Sequence, residues 1–305
     1  MRTQPSSNLN GFFRDRLRDL GIPEVDVPLA PHHVGMSAGT GPKEFEFWRL
    51  NDVIVSIAAN INVSRRRRSL SAFNWRVLDL TSGPGAYFWK PEGRTAQLLI
   101  GTSLLLPYAA HKHALNYRVG LCEREPELAD QLAARLATMA TAGTVDLARV
   151  DLMPGDFADT AHAWLQRHVQ QRRSQGLIIV DANGALHYDA LAALMAEPQA
   201  RMLDVLINYQ GVQTRWPLRR STTTPPPSVD EVMALCRKDK WQIGQSRTNY
   251  QWTWLHGSNN PQMRLIKELG FVWRDTAAGQ ARLDCFRMTR AQRRARNQPA
   301  LELGA

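Results

Sequence analysis

A chain of 305 residues with 44% hydrophobic and 22% charged side chains has the composition of an ordinary folded protein that can bury a substantial core. The formal net charge of +10 favours a polyanionic partner such as nucleic acid, and the alternative is a basic protein without one. No apolar run has the length needed to cross a bilayer, and the first ten residues lack an apolar signal core. Three distant cysteines without a C-x-x-C pair argue against a zinc site or a disulfide framework, so we expect a cytoplasmic protein without a bound metal.

The first elements along the chain precede a glycine-containing loop. Residues 1–43 are rich in Pro, Gly, Ser and His, and we expect an N-terminal arm there with one amphipathic stretch. From Lys43 to Asn62, apolar side chains recur at helical spacing. Val77 to Leu80 is a short apolar run of the kind found in buried strands. An irregular insertion is predicted from Lys90 to Tyr117.

Strands and helices then alternate. The predicted strands and helices of this part are, in chain order, 118–123, 125–138, 145–150, 160–173, 176–181, 188–196 and 203–209. This alternation predicts an α/β fold, a Rossmann-like doubly wound and mostly parallel sheet with helices on both faces. After a Thr- and Pro-rich internal loop at 221–228, the pattern predicts a helix, a strand, a helix and a strand at 229–240, 250–256, 262–269 and 271–274. The α/β domain would thus span 44–290, and a basic tail would follow at 291–305.

The loop after the first predicted strand reads Asp79-x-x-x-Gly83-x-Gly85. Two glycines let the backbone turn sharply and approach a ligand closely. In doubly wound folds a nucleotide-like cofactor binds at this place, at the carboxyl end of the first strand. The third glycine of the dinucleotide fingerprint is missing, and Gly-Pro-Gly is also common in ordinary turns.

Three further signals follow in order at the ends of the next predicted strands: Glu123, then Gly155-Asp156-Phe157, then Asp181-Ala182-Asn183-Gly184. The whole order resembles that of a class I S-adenosylmethionine-dependent methyltransferase. More closely, residues 78–87 are similar to the "DxFAGPGxY" segment of the three-Cys-motif partner (TcmP) family. Residues 122–127, 180–184 and 254–261 resemble that family's "IDxDPE", "LDPxG" and "FxSNHP" segments, and the resemblance covers about residues 44–275.

The resemblance implies S-adenosylmethionine as cofactor, with binding residues Asp79, Gly83, Gly85, Tyr87, Glu123, Asp156 and Phe157. Asp79 would order the loop and attract the cationic amine of the cofactor, and the alternative is a helix cap. Glu123 would accept the ribose hydroxyls, or it is a solvated residue of a mixed-charge run. Asp156 and Phe157 would contact the adenine, or they are a turn residue and a core residue.

Asp181 and Asn183 are the catalytic candidates. In the related DPPY-type adenine-N6 methyltransferases, the first residue of the motif accepts a hydrogen bond from the target amine and orients it. Here the prolines and the tyrosine of DPPY are absent, so the aromatic residue that would stack on a base is missing, and Tyr188 or Tyr209 are its possible replacements. The alternative role for Asp181 is a helix N-cap.

Nucleic acid is the expected partner, bound through arginine contacts to its phosphates. The alternative is that these arginines form a solvated basic face. They are Arg65, Arg66, Arg67, Arg68, Arg215, Arg219 and Arg220. Tyr250, Trp252 and Trp254 either stack on bases or, as we favour, lie in the core. The predicted function is methyl transfer to an exocyclic amine of a nucleic-acid base, of the adenine-N6 type. The alternatives are a non-catalytic nucleic-acid-binding or assembly protein with a protein partner, and a methyltransferase for a small molecule or a protein.

Overall fold

A computed structural model describes residues 7–29, 53–62, 74–89, 96–170, 173–181, 186–210, 227–245, 252–261, 263–267 and 270–287. Within these ranges, none of the helices has the length and apolarity that a membrane span requires.

Within the described ranges, ten strands form one large sheet and one hairpin. In chain order they are β1 (Asn74–Asp79), β2 (Ala86–Trp89), β3 (Gln97–Ile100), β4 (Tyr117–Glu123), β5 (Val150–Pro154), β6 (Ser174–Val180), β7 (Asp204–Gln210), β8 (Lys240–Ile243), β9 (Trp252–Ser258) and β10 (Val272–Trp273). The large sheet has the order β10-β8-β9-β7-β6-β1-β4-β5, and β2 pairs with β3 in the hairpin.

The five strands β5, β4, β1, β6 and β7 are parallel, whereas β9 runs antiparallel to both of its neighbours, β7 and β8. The predicted Rossmann-like, mostly parallel doubly wound sheet is therefore confirmed. The strand order reverses between β1 and β6, and ligands bind in α/β sheets at the carboxyl ends of the strands that flank such a reversal.

Helices cover both faces of the sheet: α1 (Ser7–Asp19), α2 (Thr102–Lys112), α3 (Pro126–Thr141), α4 (Phe157–His168), α5 (Tyr188–Ala196), α6 (Val229–Leu235) and α7 (Ala277–Arg287), with a further helical segment at 53–62. A first core lies between one face and α1, α2, α3 and the segment 53–62. A second core lies between the other face and α4 to α7.

The predicted elements differ from the structure at several places. The third strand lies at Val150–Pro154 rather than 145–150, because the Asp146 side chain accepts a hydrogen bond from Ala148 N and caps a short 3-10 turn. The expected irregular insertion contains β3 and α2, and the helix predicted at 229–240 ends at Leu235, before β8 begins. The helix predicted at 262–269 is wrong, since the described residues 263–267 are not α-helical.

The described part of the expected N-terminal arm, residues 7–29, packs against the domain. Phe13, Leu17 and Leu20 are buried in the first core. Phe88 N donates to Pro28 O at 2.6 Å, which fixes the end of the segment on β2.

Candidate functional site

Acidic and amide side chains gather at the carboxyl edge of the sheet, on the face of the first core. Side chains alternate between the two faces along a strand. Val77, Leu121, Ile179 and Leu206 belong to the first core, so the side chains two residues later stand on the same face at the strand ends. These are Asp79, Glu123, Asp181 and Asn208. The edge therefore carries three carboxylates and one amide around the point where the strand order reverses.

The two glycines of the loop have different roles. Both adopt left-handed backbone angles, with φ of +61° at Gly83 and +82° at Gly85. A Cβ atom on Gly85 would lie 2.8 Å from Leu104 Cγ and 2.9 Å from Leu132 Cδ1, so core packing requires a glycine there. A Cβ atom on Gly83 would meet nothing within 4 Å. Gly83 thus faces open space that a ligand can occupy.

Glu123 holds this loop. Its Oε2 accepts from Gly83 N at 2.6 Å, and its Oε1 accepts from Glu125 N at 2.9 Å. The side chain is buried, whereas the neighbouring Arg124 and Glu125 are exposed and pair with each other. Glu123 is therefore separate from the solvated mixed-charge run, and a carboxylate keeps capacity for further hydrogen bonds beyond these two.

Asp79 lies at the end of β1 with 1% of its surface exposed, and its Oδ1 accepts from Thr81 N at 3.1 Å. Burial raises the pKa of Asp79 to about 7, and the charges of Asp181 and Glu123 act in the same direction. The hydrogen bond from Thr81 opposes the shift. A buried carboxylate with like charges nearby is stabilised by a bound cation.

Asp181 is joined to the loop and to β7. Its backbone N donates to Thr81 Oγ1 at 2.9 Å, and its Oδ1 accepts from Asn208 Nδ2 at 2.9 Å. Asn208 was not among the site residues predicted from the sequence. An amide at the carboxyl end of an otherwise apolar predicted strand was the signal that could have identified it.

Asp156, Phe157 and Tyr87 are the remaining predicted cofactor-binding residues. Asp156 caps α4 by accepting from Ala158 N, and its other oxygen lies 3.2 Å from His187 Nδ1. Phe157 is buried in the second core. Tyr87 is buried on β2 in the first core. In the structure Asp156 caps a helix and Phe157 packs in the core, and their contact with the adenine stays a prediction.

The aromatic candidates lie in the cores. Trp252 and Trp254 are buried in the first core, as favoured from the sequence. Tyr209 is buried in the second core and packs edge-on against Phe286, so its ring stands on the face opposite Asp181 and Asn208. Burial also raises the pKa of Tyr188 to about 12.

Several predicted site residues lie outside the described residues: Asn183, Tyr250, Arg65, Arg66, Arg67, Arg68, Arg215, Arg219 and Arg220.

We also compared the chain with known proteins. No family model matches the chain, and a search of curated proteins finds no significant match. Among solved structures, the METTL16 MTase domain is 10% identical over 85% of this chain and 83% of that chain, with a TM-score of 0.43. A DUF519 protein from Legionella pneumophila is 13% identical over 68% and 85% of the two chains, with a TM-score of 0.40. The cofactor-bound protein Rv0187 from MTB is 13% identical over 81% and 89%, with a TM-score of 0.37.

Proposed function

We propose that this chain transfers a methyl group from S-adenosylmethionine to nucleic acid, at an exocyclic base amine of the adenine-N6 type, and that it is a TcmP-like protein. One observation carries the proposal. The open glycine loop, the buried carboxylates and the Asp181–Asn208 pair share one face of the carboxyl edge, at the reversal of strand order.

The residues at this edge fit the chemical groups of the cofactor. Asp79 is a buried carboxylate whose ionised form needs a cation, and the cofactor carries a cationic amine. Glu123, held at the loop, supplies acceptors for ribose hydroxyls. Gly83 leaves room beside both. When bound, the cofactor supplies a methyl group on a positively charged sulfonium.

Asp181 is the proposed residue for the target amine. Its carboxylate would accept a hydrogen bond from an N–H of the amine and hold the nitrogen in one orientation. Its own position is fixed from two sides, by Thr81 through the backbone and by Asn208 through the side chain. The formal charge of +10 supports a nucleic-acid substrate, with the seven arginines named above as proposed phosphate contacts.

A cofactor titration with a matched pair of glycine variants tests the cofactor site. The first variant is Gly83→Asn, since Asn tolerates left-handed backbone angles and would place its side chain in the open space beside the loop. We expect its affinity for S-adenosylmethionine, measured by calorimetry, to fall by about tenfold or more. Gly143→Asn is the control, because Gly143 has φ of +68° and open space at its Cβ but lies after α3. It should bind as the wild type does. Absence of cofactor binding to the wild type would overturn the enzyme proposal.

Transfer of a labelled methyl group tests the substrate. We expect incorporation into RNA or DNA by the wild type and its loss in Asp181→Ala, with cofactor binding retained. Cofactor binding without transfer to any nucleic acid would favour a small-molecule or protein substrate.

A non-catalytic nucleic-acid-binding or assembly protein is the second candidate. The placement of Tyr209 favours it, because this ring packs in the second core and does not replace the stacking aromatic of DPPY. Salt-dependent nucleic-acid binding without cofactor affinity would support this candidate.

A further inference from the structure

Among the described residues, two buried polar atoms without a hydrogen-bond partner belong to side chains on the face that carries Asp181. They are Asn208 Oδ1 on β7 and Trp254 Nε1 on β9. Asn208 and Trp254 are directly opposite each other in the antiparallel ladder, so both side chains stand on the face that carries Asp181. Asn208 is 5% exposed and Trp254 is 1% exposed. An unpartnered acceptor and an unpartnered donor thus belong to opposite residues of two neighbouring strands, on one face of the sheet.

The orientation of the Asn208 amide follows from its neighbour. An ionised carboxylate only accepts hydrogen bonds, so the amide must turn its Nδ2 towards Asp181 Oδ1, at 2.9 Å. Its Oδ1 is then the atom left without a partner. Buried polar atoms are nearly always satisfied, and an exception commonly marks a catalytic role, a water or a ligand.

We propose that Asn208 and Trp254 recognise the edge of a base that carries an amino group beside a ring nitrogen acceptor, as adenine and cytosine do. Asn208 Oδ1 accepts one N–H of the amine, Asp181 accepts the other, and Trp254 Nε1 donates to the ring nitrogen. This inference rests on the proposed function, and it adds the residues that choose the base. Hypoxanthine and uracil present a carbonyl oxygen and a ring N–H at these positions, which is the reverse pattern, and they are rejected.

The test compares two single-stranded probes, oligoadenylate and oligoinosinate of equal length, with S-adenosylhomocysteine present. Their phosphate charges are the same, so the counterion contribution to affinity cancels. We expect the wild type to prefer oligoadenylate by about tenfold or more. Trp254→Phe keeps a ring and removes the donor, and Asn208→Leu removes the acceptor. Each should lose most of the preference. In thermal stability, Trp254→Phe should cost only the packing lost with the smaller ring, because the N–H that it removes has no partner to lose.

Trp241→Phe is the matched control. Trp241 is buried on β8, and its Nε1 donates to Lys238 O at 3.1 Å, so this variant loses a made hydrogen bond and should be destabilised while keeping the preference for oligoadenylate. An unchanged preference in Trp254→Phe and Asn208→Leu overturns the inference, as it would if a water bridged the two atoms. Methyl transfer to nucleic acid without any preference between the probes also overturns it and leaves the proposed function standing. If neither probe binds and no methyl group is transferred to nucleic acid, the inference and the proposed function are both wrong.

Discussion

At the scale of single residues, Asp79 combines burial with two neighbouring carboxylates. Burial raises its pKa to about 7, and Asp181 and Glu123 add to the shift. The folded protein therefore binds a proton on Asp79 at a pH where the unfolded chain does not. Stability from this group is fully present below the unfolded pKa of about 4 and is lost as pH rises towards 7. A cation bound beside the ionised carboxylate offsets this loss.

Cofactor affinity should accordingly rise with pH. The ionised fraction of a group with a pKa of about 7 increases roughly eightfold between about pH 6 and about pH 7.5, and the association constant should follow it. Calorimetric titration at the two pH values measures the change. Asp79→Asn should bind weakly with little pH dependence, and a pH-independent affinity in the wild type would contradict the role of Asp79.

Thr81 connects the cofactor loop with Asp181, because its N–H donates to Asp79 and its hydroxyl oxygen accepts from Asp181 N. Thr81→Val keeps the shape and removes the acceptor, so we expect a loss of about 1 kcal/mol in unfolding free energy. The rate of methyl transfer should fall while cofactor affinity stays close to that of the wild type. Thr141→Val, which loses only an exposed bond to Ala137 O within α3, is the control. Equal effects of the two variants on rate would count against the connection.

At the scale of elements, α3 joins the N-terminal segment to the glycine loop through one buried guanidinium. Arg135 Nη1 donates to Pro84 O and Nη2 donates to Asp26 O, each at 2.5 Å. Burial lowers the pKa of Arg135. Residues 7–29 and the loop are therefore held by the same side chain.

Arg135→Met should loosen the attachment of residues 7–29 and of the glycine loop. We expect faster amide hydrogen exchange in residues 7–29 and in the loop, together with weaker cofactor binding. Arg282→Met is a control of the same chemistry at the far edge, because Arg282 Nη1 donates to Ile243 O and Gly270 O. Exchange in residues 7–29 that rises equally in both variants would indicate general destabilisation instead.

Core packing around Gly85 gives a second prediction at this scale. Gly85→Ala combines left-handed strain with a clash against Leu104 and Leu132, whereas Gly143→Ala has only the strain. We expect Gly143→Ala to cost about 1 kcal/mol and Gly85→Ala about 2–4 kcal/mol in denaturant unfolding. Similar costs would show that the leucines relax around the added methyl group.

At the scale of the whole molecule, the formal charge of +10 sets the long-range attraction for polyanions. If the arginines at 65–68 contact phosphates, replacing all four with Gln should reduce the salt slope for single-stranded nucleic acid by about 3, from about 0.7 per contact. Fluorescence anisotropy over a salt series measures the slope. The control replaces four exposed arginines elsewhere: Arg14, Arg18, Arg124 and Arg201. An equal reduction in the control would mean that overall charge, and no particular run, governs binding.

The sequence predicted the parts of the fold that local patterns determine. The apolar runs of β1, β6 and β7 identify buried parallel strands, and α5 begins and ends where periodicity predicts. β8 was not predicted: the helix expected at 229–240 ran into its first residue, Lys240, and a four-residue strand is too short for its alternation to be recognised.

The site was predicted in part for a similar reason. Asp79, Gly83, Glu123 and Asp181 follow strands that the sequence identifies, so parallel pairing brings them to one edge. Asn208 lies opposite Trp254 because β7 pairs with an antiparallel strand from about fifty residues later in the sequence. The local sequence around neither residue specifies that pairing. The packing role of Gly85 likewise depends on leucines from two helices.

The position of β9 between β7 and β8 also determines how the protein is completed during synthesis. A ribosome produces β7 first and β8 next, and the strand that belongs between them comes last. Until then β7 ends the growing sheet with an unpaired edge, which is a template for pairing with another chain. Nascent chains that stop before residue 252 are thus expected to be both inactive and prone to aggregation, and β8 and β9 must dock together as a hairpin to close that edge.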